Sequence, residues 1–228
     1  MVDADHLAAA ECNIFFEYFS MRYTGPKAKR CRRQGMNLYG SDKYDKILQK
    51  KPYGPGKGPK RRAGKGGRET EYARQLKEKQ RARDIYGLSE KQFHRLYQEA
   101  SAATGQTGAR FKQLLEQRLD NVLYRAGFAS TRIQARQFSS HGLFTIDGVR
   151  VTIPSYRLLP GQIVAVRSRS KQSPIFDGIR AAHEKYLPPN WLKVDPAQMS
   201  VEVLSLPQED STEQAVDMRQ VIEFYSRV

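Results

Sequence analysis

Apolar positions recur at helical spacing through the middle of the chain and switch to alternation beyond residue 142. The stretch 71–84 predicts a helix with a thin apolar side, Tyr72 and Leu76, ringed by Arg74, Lys77, Lys79, Arg81 and Arg83. Gly87 breaks it, and Ser89 with Gln92 three residues on is the start signal of the next helix. There Phe93, Leu96, Tyr97 and Ala100 fall at i, i+3, i+4 and i+7, a buried stripe. The polar, glycine-bearing run 104–108 closes that unit. A third helix is predicted over 111–126, with Leu115, Leu119, Val122 and Ala126 as its apolar face and Gly127 as a left-handed cap. Thr131 and Gln134 open a fourth, ending near Ser140.

The period then changes. Residues 143–146, the pair Asp147-Gly148 and residues 149–153 predict a hairpin, because Asp-Gly favours a turn whose twist suits paired strands. Pro160-Gly161 predicts another turn, and 163–166 a third strand. Residues 188–192 read as irregular, with Trp191 anchoring a packing contact, and 199–204 reads as a strand. The acid-rich 208–217 leads to a terminal helix whose Val221, Ile222, Phe224 and Tyr225 are suited to docking. The expected fold class is therefore α+β. An α+β unit over 108–170, two helices packed on a small antiparallel sheet, is inserted in a discontinuous helical domain formed by 71–107 and 171–228. An extended basic arm over 21–70 precedes it, and within that arm 50–68 is too rich in Pro, Gly and base for regular structure.

Charge changes this picture more than composition does. The 228 residues hold 39 Lys and Arg against 24 Asp and Glu, a net of +15. Residues 22–87 alone carry 21 basic and 6 acidic side chains, whereas 1–21 carry none and four. A basic block of that length stays extended until a polyanion neutralises it, so nucleic acid is the expected partner. Only 39% of residues are hydrophobic and no apolar run is long enough for a bilayer span, so an integral membrane protein is not expected. Residues 1–20 lack the basic start of a signal peptide and the arginines of a transit peptide. They are expected to be a non-native extension, with translation starting at Met21; the alternative is a lineage-specific tail.

Arginines on the third and fourth helices fall in stripes. Arg118, Asn121 and Arg125 lie at i, i+3 and i+7; Arg132, Arg136 and Ser140 at i, i+4 and i+8, with His141 following. Planar guanidinium forks bind phosphates in pairs of hydrogen bonds, so two such edges can follow a sugar-phosphate backbone. The competing possibility is that these arginines pair with Glu116, Asp120 and Asp147 as ion pairs of small value. Catalytic signatures are missing. The spacing Gly54-x-Gly56-x-Gly58 follows no strand and lacks the Lys-Ser/Thr of a nucleotide loop, the four histidines are scattered, and Cys12 and Cys31 provide no zinc set. Neither an enzyme nor a metal or other cofactor is expected.

Several of these segments resemble one family. They are Arg22-Tyr-Thr-Gly-Pro-Lys27, Lys29-Arg-Cys-Arg-Arg-Gln-Gly35, Gln75-Leu-Lys-Glu-Lys-Gln80 and Ile85-Tyr-Gly87, and, more specifically, Arg118-Leu-Asp-Asn-Val-Leu-Tyr-Arg125-Ala-Gly-Phe128. Ala135-Arg-Gln137, Ser140-His141-Gly142, Ile153-Pro-Ser-Tyr156, Trp191-Leu192 and Ile222-Glu-Phe-Tyr-Ser226 extend the match. The chain resembles bacterial-type small-subunit ribosomal proteins of the S4 family over 22–227. The resemblance implies that 108–170 is an S4-type RNA-binding domain and that Arg118, Arg132, Arg136, Ser140 and His141 contact RNA. It implies the same for the basic arm (Arg30, Arg32, Arg33, Lys50, Lys51) and the following helix (Arg74, Lys77, Arg81).

The family's properties imply direct binding to the 5′ domain of small-subunit ribosomal RNA early in assembly, in the 30S-type subunit of the cytoplasm. They also imply ribosomal protein S5 as a neighbour, and a place on the side where messenger RNA enters, with influence on decoding accuracy. Two departures stand out. Pro55-Gly-Lys-Gly58 replaces the family's frequent Pro-Gly-x-His-Gly, and the clustered cysteines by which some relatives bind zinc are missing. The alternative reading is an RNA-modifying or tRNA-handling enzyme carrying the same module, although only about 50 residues follow it, with no catalytic constellation.

Overall fold

A computed structural model of the chain describes residues 23, 25–56, 70–179, 186–208 and 215–227. The proposed extension 1–20 and most of the Gly-Pro-rich stretch lie outside the described residues.

Two apolar cores organise these residues, one helical and one built on a sheet. In the helical unit, α1 is Lys27–Gln34, α2 Asp42–Lys50, α3 Glu71–Tyr86, α4 Glu90–Ala102 and α5 Thr107–Glu116. Local chemistry sets the ends of α3 and α4. The Thr70 hydroxyl accepts from the Ala73 N–H and Ser89 from that of Gln92, while Gly87, at φ 63°, supplies the left-handed residue that stops α3. Phe93, Leu96 and Ala100 are buried as the spacing predicts, and Phe93 meets Phe111 edge to face at 5.0 Å.

The buried side of α3 differs from the expected one. Tyr72 is 52% exposed, and the inward positions are Gln75, Lys79, Ala82, Ile85 and Tyr86. This polar face packs against the far end of the chain, helix α8 at Met218–Arg227, and takes a further partner from α4. Gln75 donates to Glu223 at 3.0 Å, and Lys79 Nζ donates to Glu90 at 2.8 Å while lying 4.7 Å from the centre of the Phe224 ring. The Tyr225 hydroxyl donates to the same Glu90 oxygen at 2.8 Å. Val221 and Phe224 complete the docking, as the terminal periodicity predicts.

Residues 21–70, expected to be an extended arm, contain two helices instead. Cys31 and Leu38 are buried in the helical core, Gly35 at φ 73° caps α1, and Gln34 donates to the Lys77 carbonyl of α3. Arg30 stacks on the Tyr23 ring at 3.6 Å and pairs with buried Asp84. Charge density alone reads as a solvated arm. Here the few apolar residues and one buried carboxylate dock part of it.

The predicted third helix is also corrected, because it breaks in two. Helix α5 ends at Glu116 and α6 is Leu119–Arg125; α7 follows at Arg132–Ser140. At the break Arg118 adopts an extended ψ of 139°. A distant segment takes over the backbone hydrogen bonds. Leu119 N–H donates to Tyr156 O, Asp120 N–H to Pro154 O, and Leu158 N–H to Gln117 O. Phe111, Leu114 and Leu115 thus join the helical core, while Leu119, Val122, Leu123 and Ala126 join the other. The sheet unit therefore starts near residue 117 rather than 108.

The sheet is antiparallel, in the order β2-β1-β3-β5-β4: β1 Phe144–Ile146, β2 Val149–Arg150, β3 Ile163–Val166, β4 Leu192–Asp195 and β5 Ser200–Val203. The hairpin has the predicted two-residue turn, with Asp147 at φ 49°, Gly148 at φ 83° and Ile146 opposite Val149. Phe144, Ile146, Val164, Val166, Val201 and Val203 point into the core against α6 and α7. Residues 191–203 were expected to pack on the helices of 71–107. They instead extend this sheet, with Trp191 buried in its core. Among the described residues beyond 170, the segment 215–227 returns to the helical unit.

Glu90 links pH to this docking. Burial opposes its charge, but hydrogen bonds and charges from Lys79, Tyr225 and Arg83 outweigh that and hold the carboxyl below its ordinary range. A carboxyl so depressed binds its proton more weakly in the folded chain than in the unfolded one. Its contribution is present above the ordinary carboxylate pKa and is lost as pH falls through the lowered value. Glu90→Gln is expected to reduce stability by about 2 kcal/mol at neutral pH, through the uncompensated Lys79, and by much less near pH 3. Urea unfolding at the two pH values checks this.

Candidate nucleic-acid interface

Where α5 gives way to α6, a carboxylate with no solvent exposure, Glu116, collects donors from both units. The Tyr86 hydroxyl donates at 2.8 Å; Arg125 donates twice, Nε at 3.1 Å and Nη2 at 3.0 Å; and Asn121 Nδ2 donates as well. Burial, followed by the Glu116 charge, pushes the Tyr86 phenol well above its ordinary range, so it remains a donor. Asn121 passes the contact on, its Oδ1 accepting from Arg132 Nε at 2.8 Å. The Arg132 guanidinium lies between two rings, 5.1 Å from the centre of Tyr86 and 4.4 Å from that of Tyr124.

A second carboxylate works beside it. Arg118 forks onto Asp120 at 3.1 and 2.9 Å, with side chains only 5% and 7% exposed. Arg136 reaches the same Asp120 at 3.8 Å and donates to the Gly87 carbonyl at 2.7 Å. The structure thus brings Arg118, Arg125, Arg132 and Arg136 together, but around acids. The ion pairs with Glu116 and Asp120 are present, whereas Asp147 turns to the neighbouring strand β3, accepting from the Ile163 N–H at 2.9 Å. Arg118, expected on an accessible stripe, is a buried residue that orients its neighbours. Arg132 and Arg136 are half-buried and fixed, each with an edge outward. Ser140 and His141, one turn further along α7, are exposed.

The remaining predicted residues form two further groups. At the tip of α1 and α2, Arg32 donates to the carbonyls of Tyr53 at 3.0 Å and Gly54 at 2.9 Å and stacks on the Tyr53 ring. Arg33, Lys50 and Lys51 are exposed around it. Arg30 is committed to Asp84. On α3, Arg74 is exposed, Lys77 is half-buried and Arg81 pairs with Glu78 at 2.6 Å.

Sequence reasoning missed Arg150. Its guanidinium lies over Gly142, where a Cβ would stand 2.4 Å from Nε, and donates to the His141 carbonyl at 3.5 Å. Arg150 therefore extends the exposed end of α7. The glycine that makes room for it, at φ 66°, was the available signal. Tyr86 and Tyr124, which hold Arg132, were also missed, because stacking partners from other elements leave no spacing to read.

Among the described residues no three His, Cys, Asp or Glu side chains gather as a metal site, and Cys31 is a free, buried thiol. No helix among them is long and apolar enough to cross a membrane.

Comparison with known proteins divides the chain at the same junction. A family model for the ribosomal protein S4/S9 N-terminal domain covers residues 22–116, and one for the S4 domain covers 117–164. The junction between the two falls on the α5–α6 break. Among curated proteins, the chain is 42% identical over 209 residues to small ribosomal subunit protein uS4 of Roseiflexus sp., and 45% identical over 206 residues to that of Cutibacterium acnes. Persephonella marina uS4 is 44% identical over 206 residues. These alignments cover 90% of this chain and 98–99% of the relatives.

Glu116→Gln is expected to destabilise the protein by about 3–5 kcal/mol, since it removes the one buried charge on which Tyr86, Asn121 and Arg125 converge. It is also expected to uncouple the two units, so that one thermal transition becomes two. Calorimetry of the variant beside Asp147→Asn, whose carboxylate lies outside this network, checks it.

Proposed function

Because the chain belongs to the S4 family of small-subunit ribosomal proteins, we propose that it is a structural component of the small subunit that binds ribosomal RNA directly. The observation that carries this reading is the fixed outer edge of Arg132 and Arg136 running into exposed Ser140, His141 and Arg150. Side chains already held by tyrosines and a backbone carbonyl lose little freedom when they meet phosphates. Double-helical RNA hides most base edges in a deep groove, so such an edge reads backbone shape rather than sequence.

Within that reading, the RNA is the 5′ domain, bound early in assembly of the subunit body, and the protein works in the cytoplasm as part of the 30S-type particle. Exposed Arg33, Lys50 and Lys51, with half-buried Arg32, supply a second basic surface on α1 and the end of α2. In this proposal that surface lies near ribosomal protein S5, on the side where messenger RNA enters, with a part in decoding accuracy; the family resemblance is what supports it. The relatives' names favour this structural role over an RNA-modifying enzyme that carries the same module.

Binding to a 5′-domain transcript measured over a potassium chloride series tests the proposal. His141→Ala with Arg150→Ala is expected to flatten the slope of log affinity against log salt by about one to two phosphate contacts. Thermal unfolding of this variant is expected to match the parent, since both side chains are exposed. An unchanged slope would exclude this edge as the contact surface.

A further inference from the structure

A second carboxylate–guanidinium junction joins the two units away from Glu116. Arg157, in the segment that crosses the α5–α6 break, forks onto Glu99 near the end of α4. Their side chains are 39% and 41% exposed, unlike those of Arg118 and Asp120. Two more guanidiniums act on the same carboxylate. The Arg157 hydrogen bonds come first, burial works against them, and the charges of Arg157, Arg110 and Arg95 add to hold Glu99 below its ordinary range. Arg95 is on α4, beside α5, which carries Arg110; the Arg110 fork turns to the neutral amide of Gln113 at 3.3 Å. Arg157 thus holds the carboxylate directly, while Arg95, four residues before Glu99 on α4, and Arg110 act on it through their charge.

A carboxylate and a phosphodiester present the same feature to a guanidinium, two oxygens sharing one negative charge, and Arg binds either with paired hydrogen bonds. An exposed ion pair holds its partners weakly, because water screens it and two long side chains must be ordered. The buried Arg118–Asp120 pair has no such freedom to exchange. We infer that Arg157, with Arg95 and Arg110, forms a second phosphodiester-binding site whose resident anion, Glu99, is displaced by an RNA backbone phosphate. This rests on the proposed binding of ribosomal RNA. Helical spacing relates only Arg95 and Glu99, both on α4; Arg110 and Arg157 come from α5 and a loop between strands.

The test is salt-dependent binding of the full chain to a 5′-domain transcript. Glu99→Gln removes the competing charge and is expected to tighten binding about 3- to 5-fold near 0.2 M salt and to steepen the salt slope by about one contact. Arg157→Gln is expected to weaken binding by a similar factor and flatten the slope, and the double variant to behave like Arg157→Gln. Both single variants are expected to melt within a few degrees of the parent. If the parent binds with a steep salt slope while Glu99→Gln and Arg157→Gln leave affinity and slope unchanged, the pair is only a strap and the inference is overturned. If Arg157→Gln binds RNA normally but fails to enter subunits assembled with the other proteins, the anion belongs to an acidic protein surface, which also overturns it. Loss of all RNA binding by the parent itself would instead sink the proposed function, and this inference with it.

Discussion

Glu116 has no contact with water and carries a charge, so it holds its place only because Tyr86, Asn121 and Arg125 all donate to it. Those donors belong to both units, and the carboxylate sits at the last residue of α5, one step before the chain changes direction. The backbone makes the turn possible by lending the N–H groups of Leu119 and Asp120 to the 154–156 segment. Neither part works alone. Without the borrowed hydrogen bonds the helix would run on, and without the donors the acid would be too costly to bury. The relative placement of the helical and sheet units follows from this junction.

The same constraint explains what the arginines do. Part of their charge is spent internally, on Glu116 and Asp120, and that is what fixes them. An arginine free in water binds phosphate at the entropic cost of ordering its long side chain. Arg132, clamped between Tyr86 and Tyr124 and tied to Asn121, has met that cost during folding. Under the proposed function, internal ion pairs and external phosphate recognition would therefore be linked rather than alternative. Degree of burial separates their roles: Arg118 is too deep to reach a ligand, Arg132 and Arg136 show an edge, and Ser140, His141 and Arg150 lie outside.

Much of the fold was legible in sequence because it rests on short-range rules. Ser89, Gly87, Thr131 and Gly127 end or begin helices through hydrogen bonds and dihedral angles reaching no further than a few residues. Asp147-Gly148 set the hairpin register in the same way. The family was legible too, since the run 118–128 is dense in residues this junction needs. The site itself was only partly legible. Spacing put Arg118, Asn121 and Arg125 on one stripe because it assumed one continuous helix, and the break moved the first two into the interior. Charge counting likewise treated 21–70 as an arm, although Cys31, Leu38 and the Arg30–Asp84 pair dock it.

By itself, then, the amino-acid sequence determined the helical and strand periods, most caps and turns, the α+β class and the polyanionic character of the partner. Each depends on residues near one another in the chain or on total charge. Tertiary structure decided where α5 ends, which face of α3 is buried, that 192–203 completes the sheet, and which arginines face outward. Each of those outcomes turns on a hydrogen bond, ion pair or cation–ring contact between distant residues, such as Lys79 with Phe224, Leu119 with Tyr156 and Tyr86 with Glu116. The desolvation of a buried charge depends on which partners the fold brings to it, and local spacing does not contain that information.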